Sequence, residues 1–269
     1  MREMMDKANL DKLKKTELEV MDYFVSICKK YNLTYYLFWG TLLGAIRHKG
    51  FIPWDDDIDV VMPPDDYLKF LNIMEKEIND KYYMQNINNT KYCPFIFTKI
   101  RKYHTTMVEK NLNYLKIKKG INIDVFPLIK YPKNRLDRFL FTYRFRLSAL
   151  LVNREIKKDG IKYRIIHSLL CLIPRNIVNK IVNKKIKKLL EYNKEFEEYR
   201  IIHSMGFNKE WFEKIDIPFE NKKYCAPKEY DSILTRLYGD YMTLPPVNER
   251  YGHGKGDILL SFDKEYDEL

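Results

Sequence analysis

The sequence predicts an α+β protein: a mixed sheet with flanking helices, followed by a basic and mostly helical extension. Three observations lead to this prediction. Apolar residues near the amino terminus recur at three- and four-residue intervals, as on an amphipathic helix. Short apolar and aromatic runs bounded by Gly and Pro, typical of strands, follow up to about residue 130. Long basic segments with helical periodicity begin after Pro132.

The first half of the chain is predicted to alternate helices and strands. An amphipathic helix is expected over residues 10–31, where the apolar positions would pack on a sheet. The elements predicted after it are a strand at 33–39, a helix at 41–48, a strand at 58–62, a helix at 66–79, and strands at 82–87, 95–101 and 121–126.

The second half is predicted to be helical, with interruptions at Gly160 and Pro174. From about residue 216 the chain is rich in Pro, Gly and Tyr, so we expect mainly loop there, apart from a short helix near 230–238. No Gly/Ser linker or internal repeat divides the chain. We therefore predict a single domain, 1–269, with a core at 10–130, a basic helical subdomain at 131–215 and a C-terminal segment at 216–269 that returns to the core.

Composition excludes several classes of protein. The chain has 269 residues, 45% of them hydrophobic, which is enough to bury a substantial core and argues against disorder. No apolar run approaches the roughly 18 to 20 residues that span a bilayer, and Met1 is followed by charged residues. The four cysteines form no CxxC pair, which argues against a zinc knuckle or a disulfide framework. A cytoplasmic location is expected.

The net charge of +11 is concentrated in one segment. Residues 130–190 contain 17 Lys and Arg but only three acidic residues, whereas the rest of the chain is slightly acidic. A local excess of this kind favours an anionic partner, such as a membrane surface or a phosphorylated substrate. Because the basicity is confined to this segment, we expect no nucleic acid as a partner of the whole protein.

A group of acidic residues carries the clearest chemical signal. Asp57 and Asp59 are two residues apart at the start of a predicted strand, which would place both carboxylates on one face. Paired carboxylates favour a hard divalent cation such as Mg²⁺ (or Mn²⁺) between them. Asp124 lies alone in the apolar stretch 121–127, where a buried strand ordinarily holds no charge. The alternatives are a solvated acidic loop and a solvent-facing residue on an edge strand.

Several motifs resemble the signature of the LicD family. They are GTLLG at 40–44, RH at 47–48, GFIPWDDDIDV at 50–60, IDVFP at 123–127 and the C-terminal LYGDYMTLPP at 237–246. Members of that family transfer phosphocholine and related phospho-groups to cell-surface glycans, and they are distantly similar to fukutin-related phosphotransferases. The resemblance covers roughly residues 10–130 and 225–255, and the basic middle of the chain matches no pattern.

The resemblance implies a nucleotidyltransferase-like fold. In that fold a strand ends at two small residues, a DxD strand follows, and a third strand supplies another acid; Gly40-Thr41, Asp57 and Asp59, and Asp124 occupy those places. The resemblance implies that these three aspartates are catalytic and hold Mg²⁺ (or Mn²⁺), with Asp124 also accepting a proton from the acceptor hydroxyl. Two departures are Thr41, which is larger than the usual partner of the glycine, and Ile129, near where many relatives carry an acid.

The same reasoning gives a set of substrate-binding residues. Lys99 and Arg101 alternate along a predicted strand and would contact a diphosphate, although both are equally well explained as solvated cations. Arg47 and His48 follow a predicted helix, where capping of that helix is an alternative to phosphate contact. Trp54 offers an aromatic face to a quaternary ammonium, or belongs to the core. The full predicted set is Gly40, Thr41, Arg47, His48, Trp54, Asp56, Lys99 and Arg101.

The sequence and the resemblance together favour a metal-dependent phosphotransferase. Its expected donor is CDP-choline, and its expected acceptor is a hydroxyl of a cell-surface glycan or its lipid-linked precursor, such as teichoic acid, lipopolysaccharide or capsule. An alternative is a nucleotidyltransferase that moves a nucleoside monophosphate from a triphosphate. A second alternative is a non-enzymatic basic module that binds membranes or nucleic acid. Peripheral contact with the inner face of the cell membrane is expected from the basic segment.

Overall fold

A five-stranded sheet lies at the centre of the computed structural model, which describes residues 6–77, 79–109, 112–156, 168–201, 205–252 and 258–268. The predicted α+β class is confirmed. The elements are α1 Lys7–Lys30, β1 Tyr36–Leu37, α2 Trp39–Arg47, β2 Asp59–Met62, α3 Pro64–Met74, β3 Tyr82–Gln85, β4 Thr98–Lys102, β5 Thr106–Glu109, β6 Asn122–Pro127, β7 Ile129–Pro132, α4 Arg135–Val152, α5 Arg175–Leu190, β8 Phe196–Arg200, β9 Phe207–Asn208, β10 Lys214–Phe219, β11 Lys222–Pro227, α6 Tyr230–Tyr238 and β12 Ile258–Ser261.

The strand order of the central sheet is β1-β2-β6-β4-β3. Strands β2 and β6 are parallel, and the other neighbouring pairs are antiparallel. In this register Asp59 of β2 lies opposite Asp124 of β6, and Asp124 lies opposite Lys99 of β4. Because cross-strand partners point to the same face of a sheet, these three side chains share one face.

Helix α1 covers the sheet with an apolar stripe. Its side chains Leu13, Val20 and Phe24 are fully buried, and Phe24 packs edge-on against the ring of Phe70 in α3. The helix begins at the cap residue Asp6, whose carboxylate accepts from a backbone N–H of the first turn. Residues Val60 to Met62 in β2 are also fully buried, as expected for a strand covered on both faces.

The basic region adds a second, smaller apolar cluster. Helices α4 and α5 pack against each other through Leu151, Val152, Val178 and Val182. The side chain of Asn134 caps the start of α4 by accepting from two backbone N–H groups. Strands β7, β8 and β9 form a three-stranded sheet beside these helices, and β5 pairs with β12.

The structure corrects parts of the sequence prediction. Residues 196–208 contain β8 and β9 instead of helix, and residues 214–227 form the antiparallel hairpin β10–β11 instead of loop. The hairpin buries Ile217 and Phe219 while its lysines face water, which is the alternation of a half-buried strand. The prediction of a loop relied on the Pro and Tyr content of this segment and did not consider that alternation. Helix α3 ends at Met74, earlier than predicted, and the predicted break at Gly160 lies outside the described residues.

Candidate active site

The turn between β1 and α2 brings a helix N-terminus to the acidic loop. Helix α2 begins at Trp39, and Gly40 and Thr41 lie in its first turn. The backbone of Trp39 has a positive φ of 41°, which is uncommon for a non-glycine residue. A Cβ added at Gly40 would lie 2.5 Å from Oδ2 of Asp55, so glycine is needed for the carboxylate to approach this turn. Backbone N–H groups at a helix N-terminus favour a negative charge there.

Three consecutive acidic side chains converge in the loop before β2. Among the described residues, Asp55, Asp56 and Asp57 bring carboxylate oxygens within 4.8 Å of one another. Asp55 and Asp56 are buried and Asp57 is partly buried. A Cβ added at Gly252 would lie 2.7 Å from Oδ1 of Asp56, so the C-terminal segment packs against this loop.

Asp59 lies at the start of β2, whereas Asp57 precedes the strand. The backbone N–H of Asp59 donates to Oγ1 of Thr41 at 2.8 Å. The Thr41 hydroxyl, predicted as a phosphate contact, therefore holds the start of β2. Burial raises the pKa of Asp59 well above its usual range, and the negative charges of Asp57 and Asp124 raise it further.

Asp124 is held from two sides by hydrogen bonds. Lys99 Nζ lies 2.5 Å from Oδ1 of Asp124, and the side-chain amide of Asn122 donates to the same oxygen at 2.7 Å. Both contacts converge on Oδ1, and Oδ2 has no hydrogen-bond partner among the described residues. The carboxylate is therefore fixed in orientation while one oxygen keeps its capacity to accept a proton.

Arg101 points into the protein instead of towards a substrate. Its guanidinium is buried and donates to Oε1 of Gln85 at 2.7 Å, to the carbonyl of Gly120 and to Oδ1 of Asn122 at 2.8 Å. The predicted diphosphate contact does not fit this arrangement, because the guanidinium is already occupied. Arg101 instead orients Asn122, which in turn contacts Asp124.

Arg47, His48 and Trp54 connect the acidic loop to the C-terminal segment. Arg47 donates from Nη1 to the carbonyl of Tyr241 at 2.7 Å and from Nε to Nε2 of His48 at 3.0 Å. Burial lowers the pKa of His48, and the charge of Arg47 lowers it further. The Arg250 guanidinium lies 5.4 Å from the Trp54 ring centroid, so this aromatic face already holds a cation.

Two residues near the acidic group were missed by the sequence prediction. Glu17 of α1 is fully buried, and neither of its carboxylate oxygens has a hydrogen-bond partner among the described residues. Burial raises its pKa well above the usual range, and the nearby charge with the largest further effect is that of Asp57. Tyr238 is 43% exposed as a residue; partial burial of its hydroxyl raises its pKa, and the next cause is the charge of Asp59. The sequence did contain a signal for Glu17, because it is an acidic residue within the apolar stripe of α1.

The described residues fit a divalent cation. Carboxylate oxygens are the ligands that Mg²⁺ and Mn²⁺ prefer, and here the acidic side chains crowd a buried region. Both carboxylate oxygens of Glu17 are buried without a hydrogen-bond partner among the described residues, and burial, followed by the neighbouring acids, raises the pKa of Asp59. The pair Asp59 and Asp124 lies beside the group of three carboxylates without belonging to it.

Comparison with known proteins agrees with this geometry. Residues 32–148, from just before β1 into α4, match the family model described as "LicD/FKTN/FKRP, nucleotidyltransferase domain". This part of the chain is therefore similar to the LicD-family domain. The resemblance noted in the sequence is thereby confirmed, and all three predicted catalytic aspartates fall within the matched residues.

The relatives extend the similarity beyond the LicD domain. Over 247 residues the chain is 29% identical to the lipopolysaccharide cholinephosphotransferase LicD of Haemophilus influenzae, covering 88% of this chain and 92% of the relative. An uncharacterized protein of Rickettsia typhi is 47% identical over 45 residues, which is 17% of this chain and 15% of that protein. The first alignment therefore includes much of the chain outside the LicD domain.

Proposed function

We propose that this protein is a metal-dependent transferase that moves phosphocholine from CDP-choline to a hydroxyl of a cell-surface glycan or its precursor. The observation that carries the proposal is the row Asp59, Asp124 and Lys99 across three neighbouring strands, beside the acidic loop. The similarity to a lipopolysaccharide cholinephosphotransferase over most of both chains supports phosphocholine as the transferred group.

The acidic residues would hold the cation and the donor. Asp57 and Asp59 are proposed ligands of Mg²⁺ or Mn²⁺, with Asp55 and Asp56 adding negative charge close by. A bound divalent cation would neutralise the donor diphosphate and stabilise the leaving nucleoside monophosphate. The first turn of α2, at Gly40, offers backbone N–H groups that favour the same negative charge.

Asp124 is proposed to accept the proton of the attacking hydroxyl. Lys99 and Asn122 orient the carboxylate through Oδ1, which leaves Oδ2 for the proton. Arg101 supports this arrangement through Asn122. Catalysis would then depend mainly on holding the donor phosphorus and the hydroxyl in line and on neutralising charge.

Two aromatic faces near these residues suit a quaternary ammonium. One is Trp54, which already faces the cationic Arg250. The other is formed by Phe95 and Phe97, whose ring centroids lie 5.6 and 5.4 Å from Lys99 Nζ. A cation over an aromatic ring gains about 0.5 to 2 kcal/mol, depending on its desolvation. Each face holds a protein cation in this structure, so choline would gain this contact only by taking the place of Arg250 or Lys99 over the ring.

The reaction is proposed to take place in the cytoplasm, at the inner face of the cell membrane. The thiols of Cys28, Cys93 and Cys225 are free, which fits a reducing compartment. In the described part of the chain, no helix combines the length and hydropathy needed to cross a bilayer. A lipid-linked glycan precursor, whether of lipopolysaccharide, teichoic acid or capsule, would meet the enzyme at that surface.

Product analysis tests the proposal. The protein is incubated with CDP-choline, Mg²⁺ and candidate glycan acceptors, and the products are identified by mass spectrometry. CMP together with a phosphocholine-modified glycan supports phosphocholine transfer, whereas a nucleotidylated acceptor with diphosphate released from a nucleoside triphosphate supports the alternative activity. Asp59→Asn is the control for contaminating activity. Affinity for CDP-choline equal to that for its neutral analogue, CDP-3,3-dimethylbutanol, would contradict choline recognition.

A further inference from the structure

The outward side of α4 is apolar. The helix buries Phe141, Phe145 and Leu151 against the rest of the protein. On its other side, four large apolar or aromatic residues point to solvent: Leu136, Phe139, Tyr143 and Leu150, with exposed fractions of 66, 68, 53 and 48%. At 100° per residue these four positions fall within one narrow stripe opposite the buried face. A helix packed only on its own core would carry polar residues there.

Helix α5 carries a related stripe of alternating apolar and basic residues. Ile177 and Ile181 are exposed, and Lys180, Lys184 and Lys188 are exposed on the same face at intervals of three and four residues. Lys185 Nζ lies 5.0 Å from the ring centroid of Tyr143, so the two stripes adjoin. We call this combined surface, made of the four exposed α4 residues and the five exposed α5 residues, the α4–α5 face.

The charge around this face indicates what covers it. Helices α4 and α5 contain ten Lys and Arg residues and one acidic residue, Asp137. Exposed apolar side chains among cations match a surface of anionic headgroups above acyl chains, because the cations attract the headgroups while the apolar side chains enter the interface. We infer that the α4–α5 face docks peripherally onto an anionic lipid membrane, with both helices lying along it. This inference deepens the proposed function by naming the contacting surface, but its test does not depend on catalysis.

Vesicle flotation of the full chain tests the docking. Vesicles of phosphatidylcholine alone are compared with vesicles that also contain phosphatidylglycerol, at low and moderate salt. The wild-type protein is expected to float only with the anionic vesicles, and less at moderate salt. Lys180→Gln/Lys184→Gln should lower the partition coefficient about tenfold or more, and Leu136→Ser/Phe139→Ser should do so by a similar factor.

Matched controls separate docking from general effects. Lys7→Gln/Lys15→Gln removes two exposed lysines from α1, and Met205→Ser removes an exposed apolar side chain elsewhere; both should float like the wild type. Thermal unfolding confirms that each variant is folded. The inference is overturned if the wild type fails to float with anionic vesicles at low salt, if the α1 control loses as much binding as the α5 variant, or if the apolar substitutions have no effect.

A second inference concerns Glu17. This side chain is fully buried, and neither of its carboxylate oxygens has a hydrogen-bond partner among the described residues. Three residues earlier, Lys14 Nζ donates to the carbonyls of Ile52 and Pro53 at 3.0 Å each, so this face of α1 packs on the segment that enters the acidic loop. A buried, unpartnered carboxylate is costly unless a cation compensates it.

The geometry points to Glu17 as an outer partner of the cation site, supplying negative charge from the α1 side of the acidic loop. This inference rests on the proposed cation site. Binding of Mn²⁺ alone to the metal-free protein tests it, by calorimetry and by the rise in unfolding temperature. Glu17→Gln is expected to weaken Mn²⁺ binding about tenfold or more and to raise the unfolding temperature of the metal-free protein, because it removes an uncompensated buried charge.

Glu19→Gln is the matched control, since it makes the same change two residues away on the partly exposed side of α1, where the carboxylate contacts Lys102. Glu19→Gln should bind Mn²⁺ like the wild type. Unchanged Mn²⁺ affinity in Glu17→Gln, with binding intact in the wild type, overturns the role of Glu17 alone. Absence of Mn²⁺ binding in the wild type overturns the cation site itself and Glu17 with it.

Discussion

The acidic site and the α4–α5 face carry opposite charges in opposite environments. At the site, Asp59 and Glu17 are buried beside other acids, and the pKa of each is raised because charge and burial act together. On the α4–α5 face, cations such as Lys180 and Lys184 are exposed to solvent. Water screens the exposed lysines of the α4–α5 face, but it has little access to the buried carboxylates of Asp59 and Glu17.

The comparison indicates which charged residues do not contribute to the stability of the fold. Exposed lysines cost little and are compatible with many surfaces, so their number alone indicates no function. An ionised buried acid destabilises the chain unless it takes up a proton or a cation compensates it. Substitutions in the acidic site should therefore separate activity from stability.

The largest expected effect is that of Asp59→Asn on turnover. The amide cannot hold a cation as a carboxylate does, so kcat should fall by about 100-fold or more. The unfolding temperature of the metal-free protein should stay the same or rise, because burial and neighbouring charges disfavour the ionised carboxylate. Steady-state kinetics with CDP-choline and calorimetry measure the two effects, and near wild-type turnover at saturating Mg²⁺ would refute the assignment.

Asp124→Asn should also lower kcat, by about 100-fold, if its carboxylate is the general base. A base acts only when deprotonated, so the wild-type rate should rise with pH and then level off. The variant should lose that rise. Lys99→Met serves as the comparison, because Lys99 is proposed only to position Asp124 through its 2.5 Å contact, so its removal should keep a pH-dependent limb. An unaltered pH profile in Asp124→Asn would rule out the base.

Glycine substitutions near the site should distinguish fold from chemistry. A Cβ at Gly44 would lie 2.4 Å from the backbone oxygen of Gly50, which cannot rotate away, so Gly44→Ala should cost about 1 to 3 kcal/mol of stability. A Cβ at Gly40 meets only the side chain of Asp55. Gly40→Ala should therefore keep more stability than Gly44→Ala but lose turnover. Denaturant unfolding and kinetics of both variants check this order.

The smallest expected effect is a pH dependence that arises from His48. Its folded pKa lies below the ordinary value of about 6.5, so the unfolded chain binds a proton more readily. This contribution to stability is present above pH 6.5 and is lost as the pH falls through 6.5 towards the folded pKa. As the pH is lowered from 7.5 to 5, the unfolding temperature should fall more steeply for the wild type than for His48→Gln. Parallel curves would contradict the prediction.

The sequence supported much of the sheet and part of the site. The order of acids along the chain led to Asp59 and Asp124, because a DxD strand and a lone acid in an apolar strand are visible without coordinates. The hairpin β10–β11 was missed, since its pairing depends on contacts between residues that local composition does not show. Arg101 was assigned to a substrate because strand alternation gives its face but not its partners Gln85 and Asn122.

Parts of the site that come from distant segments escaped the sequence prediction for the same reason. Glu17 is about 40 residues before the acidic loop, and its approach depends on how α1 packs. Tyr238 belongs to the C-terminal motif that resembles the family, but the motif does not show which of its side chains faces the acids. Only the tertiary fold places the charges of Asp55, Asp57 and Asp59 near this hydroxyl.

The contact between Arg47 and the carbonyl of Tyr241 joins residues 194 positions apart in the sequence. During synthesis on the ribosome, the acidic loop therefore emerges long before the segment that packs against it. In a nascent chain Asp56 would lack the packing of Gly252 until that residue has been made. We therefore expect the acidic loop to reach its final packing only after this late-made segment has been synthesised.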